Sequence, residues 1–167
     1  MSGRSPDLPE GARALVVTVS DRSHGGARHD TSGPLLADLL RESGFEVGAV
    51  EVVPDEVTQI KDTLRKAVAD RYDVVLTTGG TGLSPRDVTP EATRAIIERE
   101  APGLVEAIRA TNRDSMPTTI LSRAVAGISA ATLIVNLPGS TGGVRDGMVV
   151  LTPVLGHAVA QLRGGDH

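Results

Sequence analysis

The stretches "ALVVTVS" (residues 14–20), "VVLTTG" (74–79) and "TLIVNLPG" (132–139) are short runs rich in β-branched residues, and longer amphipathic stretches separate them. No other feature constrains the fold as tightly. Alternation of this kind is the signature of helices covering a largely parallel sheet. A fourth run, "FEVGAVEVV" (45–53), alternates apolar and polar residues and reads as a more exposed strand. Together they predict an α/β fold, a three-layer α/β/α sandwich around a mostly parallel central sheet.

Helix starts and stops fall between the strands. "SGPLLADLLRESG" follows Ser32, with Pro34 early and Gly44 as a stop. In "DEVTQIKDTLRKAVAD", Asp55 has the residue type of an N-terminal cap, and in "TPEATRAIIERE" Thr89 is expected to cap a helix that has Pro90 at its first position. "GLVEAIRATNRDS" reads as another helix, and "VRDGMVVLTPVLGHAVAQLR" as one or two more with a break near Pro153. The 167 residues, 40% of them hydrophobic, suit one globular domain at residues 12–163, with loose ends at 1–11 and 164–167.

Composition removes several functions. No apolar run approaches the roughly 20 residues that cross a bilayer, and "MSGRSPDLPEGA" lacks the apolar centre of a signal peptide, so a cytoplasmic protein without a membrane partner is expected. A net charge of -4 and a single pair of aromatics, Phe45 and Tyr72, argue against nucleic acid, which needs basic residues and stacking platforms. With no cysteine, any metal must be held by oxygen or imidazole, which favours hard cations.

Ligands of open α/β sheets collect at the carboxyl ends of the strands, where this chain has "SDRSHGGARHDTSG", "VPDE", "GGTGLSPRD" and "PGSTGG". A Walker loop is excluded because Lys61 and Lys66 both fall inside a helical stretch, and Pro85 replaces the third glycine of a dinucleotide fingerprint. Two readings of the turn stand: a tight strand-to-helix connection, or a phosphate cradle in which Gly79, Gly80 and Gly82 offer amides and Thr81 a hydroxyl. A carboxylate repels an anion unless a cation stands between them. Asp55 and Asp87 on neighbouring loops therefore suggest one Mg²⁺ shared with substrate phosphates, the alternative being that each is a helix cap. Arg86 is the best candidate for a phosphate contact among the loop arginines Arg22, Arg28, Arg86 and Arg123. His24 and His29 lack a third ligand for zinc and read as loop residues, and His157 as a buried or half-buried helix residue.

The segments "TVSDR" (18–22), "VVPDE" (52–56), "GGTGLSPRDVTPEAT" (79–93), "LSRAVAGI" (121–128) and "LPGSTGGV" (137–144) resemble, in order and spacing over roughly residues 12–163, the MogA/MoaB family. These are molybdopterin adenylyltransferases of molybdenum cofactor biosynthesis, related to the plant Cnx and gephyrin G domains. The resemblance implies ATP as co-substrate, Mg²⁺, and transfer of AMP to the terminal phosphate of molybdopterin with release of pyrophosphate. It implies an essential acidic pair at Asp55 and Asp87 and a phosphate turn at Gly79, Gly80, Thr81 and Gly82. It further implies a nucleotide-side loop at Pro138, Gly139 and Ser140, and a pterin cleft lined by Ser20, Asp21, Arg86 and Ser122. Homotrimers, with some hexamers, are the family's assemblies, and a downstream molybdenum-insertion protein is an implied partner. This chain departs at Ser140, where the plant domain has asparagine, and at Asn112, where relatives carry serine. A pterin carrier of the same fold without catalysis is the competing expectation, and the presence of both aspartates favours the enzyme.

Overall fold

A computed structural model describes residues 3–165. The elements run β1 (Arg13–Val19), α1 (Asp21–His24), α2 (Ser32–Glu42), β2 (Glu46–Val47), β3 (Glu51–Val53), α3 (Val57–Ala69), β4 (Val74–Thr78) and α4 (Thr89–Arg94). After these come β5 (Arg99–Glu100), α5 (Pro102–Ala110), a 3-10 helix (Pro117–Leu121), β6 (Ala126–Ser129), β7 (Thr132–Leu137) and α6 (Thr141–Leu162). All strands join one sheet in the order β2-β1-β4-β7-β6-β5, with β3 on the same edge of β1 as β2. Pairings among β1, β2, β3, β4 and β7 are parallel, whereas β6 runs antiparallel to β7 and to β5.

The alternation inside β1 explains the layering. Ala14 and Val16 point into a core shared with Leu36, Leu40, Met148, Leu151 and Leu155 of α2 and α6. Leu15, Val17 and Val19 point into a second core with Ile60, Leu64 and Ala92 of α3 and α4. Both faces are therefore covered, and a strand buried on both faces has no reason to alternate with polar residues. The expected three-layer α/β/α sandwich is the observed fold.

Several local expectations are corrected. The run at 45–53 is two short strands, because between Ala14↔Val47 and Val17↔Glu51 the outer chain spends one more residue than β1, a bulge at residues 48–50. The stretch beginning "TPEATR" leaves helix after one and a half turns and ends in β5, while β6 forms a hairpin with β7 that the sequence pattern did not mark. Pro153 does not break α6, which continues for 22 residues.

Ser5 gives part of the reason. Its hydroxyl donates to Thr152 O and accepts from the Gly156 N–H, bridging a carbonyl and the amide four residues on in the turn that contains Pro153. Gly156 permits this approach, since a β-carbon there would collide with Pro6 O. Residues 5–8, expected among the loose N-terminal residues, thus pack on α6, with Ser5 and Leu8 buried. Gly164 and Gly165 of the expected tail close the end of α6, and residues 1, 2, 166 and 167 lie outside the described residues.

Candidate functional site

The parallel strands β1, β3 and β4 and their neighbour β7 all end at one rim, where their loops enclose a polar cleft of about 570 Å³. Of the residues singled out in the sequence, Ser20, Asp21, Arg22, Arg28, His29, Asp55, Gly79, Gly80, Arg86, Asp87, Gly139 and Ser140 line it.

Two carboxylates cross-link the first and third strand ends. The Asp21 N–H donates to Asp55 Oδ2 and the Asp55 N–H donates to Asp21 Oδ1, both at 2.9 Å. Asp55 is therefore not the cap of α3; Glu56 holds that position without a side-chain bond. Arg86 reaches across the mouth and donates from Nε and Nη2 to the two oxygens of Asp21, each at 3.0 Å. This fork, with the Asp55 N–H, holds the Asp21 carboxyl below its ordinary pKa. Asp55 is pushed the other way, chiefly by burial and further by the charges of Asp21 and Asp87.

Asp87 Oδ2 accepts the Ser84 N–H at 3.0 Å, closing its own loop. Thr89 does not cap α4. It lies inside the helix, is fully buried, and its hydroxyl donates to Gly79 O at 3.0 Å while its N–H donates to Gly80 O. The glycine turn is thus tied to α4 from below. Its backbone demands glycine: φ is +103° at Gly79 and +69° at Gly80, and a β-carbon at Gly79 would lie 2.4 Å from Val19 O. The Gly79 N–H is committed to Leu137 O, so of the two turn glycines that line the cleft it is Gly80 whose N–H has no acceptor among the described residues.

Thr81, Gly82, Pro138 and Ser122 do not line the cleft. Thr81 is buried, Pro138 O receives the Thr78 hydroxyl at 2.7 Å, and the Ser122 hydroxyl accepts the Ala124 N–H. Asn112, at φ +58°, bonds Asp146 on α6, away from the rim. The structure adds residues the sequence did not single out for the cleft: Asp30, Thr31, Ser32 and Thr78. Asp30 accepts the Thr18 hydroxyl at 2.8 Å and the Gly33 N–H at 3.1 Å, fixing the start of α2. Its signal was "HDTSGP", an acidic residue ahead of a helix start at a strand's carboxyl end. The neighbouring residue of Ser122, Arg123, was also underrated. Its Nε donates to Gly82 O at 2.8 Å, its Nη2 to Asp87 O at 2.7 Å and its Nη1 to Glu91 at 2.6 Å.

Among the described residues no group of three or more His, Asp or Glu is placed to hold a metal ion alone. Two carboxylates do fit Mg²⁺, which takes one or two from a protein and completes its shell with water and phosphate. Asp55 Oδ1 lies 3.1 Å from where a β-carbon on Gly80 would be and Asp87 Oδ2 2.9 Å from one on Gly82, so each acid lies against a glycine of the turn, and both line the cleft.

A doubly covered sheet with a glycine turn, an acidic pair and a polar cleft at its carboxyl rim defines an α/β domain of the class that binds ligands outside the carboxyl ends of its strands. Residues 15–157 match the family described as probable molybdopterin binding domain, and the chain belongs to that family. It is 38% identical over 168 residues to the molybdenum cofactor biosynthesis bifunctional protein of Synechococcus elongatus, covering 98% of this chain and 53% of that protein. It is 38% identical over 154 residues to the molybdopterin adenylyltransferase of Helicobacter pylori, covering 89% and 86%. The solved structure of the molybdopterin biosynthesis enzyme MoaB from Thermus thermophilus superposes with a TM-score of 0.84 at 47% identity, covering 91% of this chain and 96% of that one. The chain spans about half the length, or less, of the longer curated relatives it matches. Among the described residues no helix is long and apolar enough to cross a membrane.

Proposed function

We propose that this chain acts in molybdenum cofactor biosynthesis by transferring AMP from MgATP to the terminal phosphate of molybdopterin. An oxygen of the pterin phosphate attacks the α-phosphorus of ATP; a P–O bond forms there as the bond to the β-phosphate oxygen breaks, and pyrophosphate leaves. No side-chain nucleophile is consumed. The observation that carries the reading is the pair Asp55 and Asp87 converging on the Gly79–Gly82 turn inside the cleft. These two aspartates are the residues to hold Mg²⁺, which when bound would neutralise charge on the phosphates.

The chain's own residues account for the rest. The Gly80 amide donates to phosphate, Arg86 exchanges Asp21 for a phosphate oxygen, and Ser140 and Gly139 at the start of α6 bring an electropositive helix end to the cleft. Positioning two polyanions in line is worth roughly 7–11 kcal/mol of barrier, enough to make geometry the main contribution. A homotrimer, or a hexamer, in the cytoplasm and delivery to a molybdenum-insertion protein belong to the same reading.

The test is incubation with molybdopterin and MgATP, followed by chromatography for adenylylated pterin and pyrophosphate. Pterin binding with no pyrophosphate would make the chain a carrier. Steady AMP or ADP release without pterin would make it a hydrolase and remove the proposal.

A further inference from the structure

We infer that Arg123 is a positioning residue for Asp87, stapling both ends of the loop that carries it; the catalytic consequence rests on the function proposed above. The loop from Gly82 to Asp87 protrudes at the rim and contains an exposed Leu83. Its internal support is slight: the Ser84 N–H to the Asp87 carboxylate, and the Asp87 N–H back to Ser84 O. Such a loop by itself frays readily.

Arg123 closes it from outside. Nε of the guanidinium donates to Gly82 O, where the loop leaves the turn, and Nη2 donates to Asp87 O, where it enters α4. The Arg123 N–H donates to Thr81 O at 2.8 Å, so the backbone of the 3-10 helix's far end is anchored to the same turn. Glu91, in the first turn of α4, takes the remaining nitrogen and orients the fork. All three bonds go to atoms at least 32 residues away in sequence, and Arg123 itself does not line the cleft. A planar guanidinium reaches two carbonyls at fixed separation; a lysine ammonium, a single point donor, does not reproduce that fork.

Two measurements test this. In the first, amide hydrogen exchange of the ligand-free protein is followed for wild type, Arg123→Met, Arg123→Lys and Glu91→Gln. Faster exchange at the Ser84 and Asp87 amides in both Arg123 variants, with β4 and β7 unchanged and Glu91→Gln near wild type, is expected. Should Arg123→Met fail to fold, Arg123→Lys carries the comparison. In the second, single-turnover adenylylation is measured for Arg123→Lys in the wild-type and Asp87→Asn backgrounds. A loss of about tenfold to a hundredfold is expected in the former, and little further loss in the latter, because a misplaced carboxylate costs nothing once it is gone. Equal losses in both backgrounds, or unchanged exchange at Ser84 and Asp87, would overturn the inference. A wild type that makes no adenylylated pterin would refute the proposed function instead, and the exchange result alone would then decide whether Arg123 holds the loop.

Discussion

Asp21 and Asp55 each donate a backbone N–H to the other's carboxylate, at 2.9 Å in both directions. The ends of β1 and β3 are thereby locked in one register at the rim, with two negative charges brought close. Arg86 covers one of them. What remains is Asp55, more deeply placed, with its charge opposed by burial and by its acidic neighbours.

Arg86→Met is expected to weaken MgATP binding and to flatten its dependence on ionic strength, since one exposed phosphate contact is lost. The Arg86–Asp21 pair is exposed on both sides, so wild type and variant should melt together at neutral pH. The sign in acid follows from the lowered Asp21 pKa: whatever the pair contributes is present above the usual carboxylate value and is lost as the pH falls through the lowered one. Unchanged nucleotide affinity by calorimetry would reduce Arg86 to a tie between loops.

Asn136 occupies a place on β7 where the neighbours Val135 and Leu137 are buried and apolar. Its oxygen accepts the Val125 N–H, and its nitrogen donates to the hydroxyls of Thr77 and Thr93. Asn136→Leu strands a buried amide and is expected to cost at least about 2 kcal/mol of stability by urea denaturation. A smaller loss would mean that the hydroxyls and the Val125 amide find other partners.

The sequence made β1, β4 and β7 legible because burial on both faces leaves uninterrupted apolar runs, and it made the place of Asp55, Asp87 and Gly80 in the cleft legible because they follow the carboxyl ends of those runs and their strand neighbour. Asn136, Arg123 and Ser5 were hidden for a different reason. Their roles depend on partners 43, 41 and 147 residues away, and most of those partners are backbone atoms that any residue would supply. Pro153 misled as a helix breaker because tertiary packing and the Ser5 hydroxyl support α6 from outside it. The antiparallel β5 and β6 are too short, and β6 too glycine-interrupted, to leave a period.

Gly82 and Gly80 separate the carboxylate from the turn. At Gly82 a methyl would meet only the far end of Asp87, Oδ2 at 2.9 Å, on a backbone that does not require positive φ. Gly82→Ala should therefore displace the Asp87 carboxylate, lowering adenylylation several-fold at nearly unchanged melting temperature. Gly80→Ala should lose both stability and activity, because φ is +69° and the methyl would lie 2.3 Å from Thr89 Oγ1. Gly103→Ala, in open space on α5, is the control. If Gly82→Ala lost melting temperature as Gly80→Ala does, its crowding would be a matter of fold.

Asp55→Asn is expected to trade stability against chemistry. Asparagine keeps an oxygen for the Asp21 N–H and removes a charge that burial and two acidic neighbours oppose. A carboxyl whose pKa is raised by folding binds its proton more readily in the native state, so wild-type stability falls as pH rises from the ordinary aspartate value through the raised one. The variant lacks this decline. At neutral pH it should melt no lower than wild type, and as the pH is lowered toward the ordinary aspartate value its advantage should vanish, because Asp55 is then protonated. Activity moves in the opposite direction: a neutral amide is a poor partner for a hard cation, and a loss of at least about 2 kcal/mol in transition-state stabilisation, some thirtyfold in rate, is expected. Wild-type activity should also show an acid limb above the ordinary aspartate range, reporting ionisation of Asp55 in the free protein. Single-turnover rates and thermal melts from pH 4 to 8 on the same samples provide both readouts. A variant that turned over at the wild-type rate would leave Asp55 as a register lock for Asp21 and nothing more.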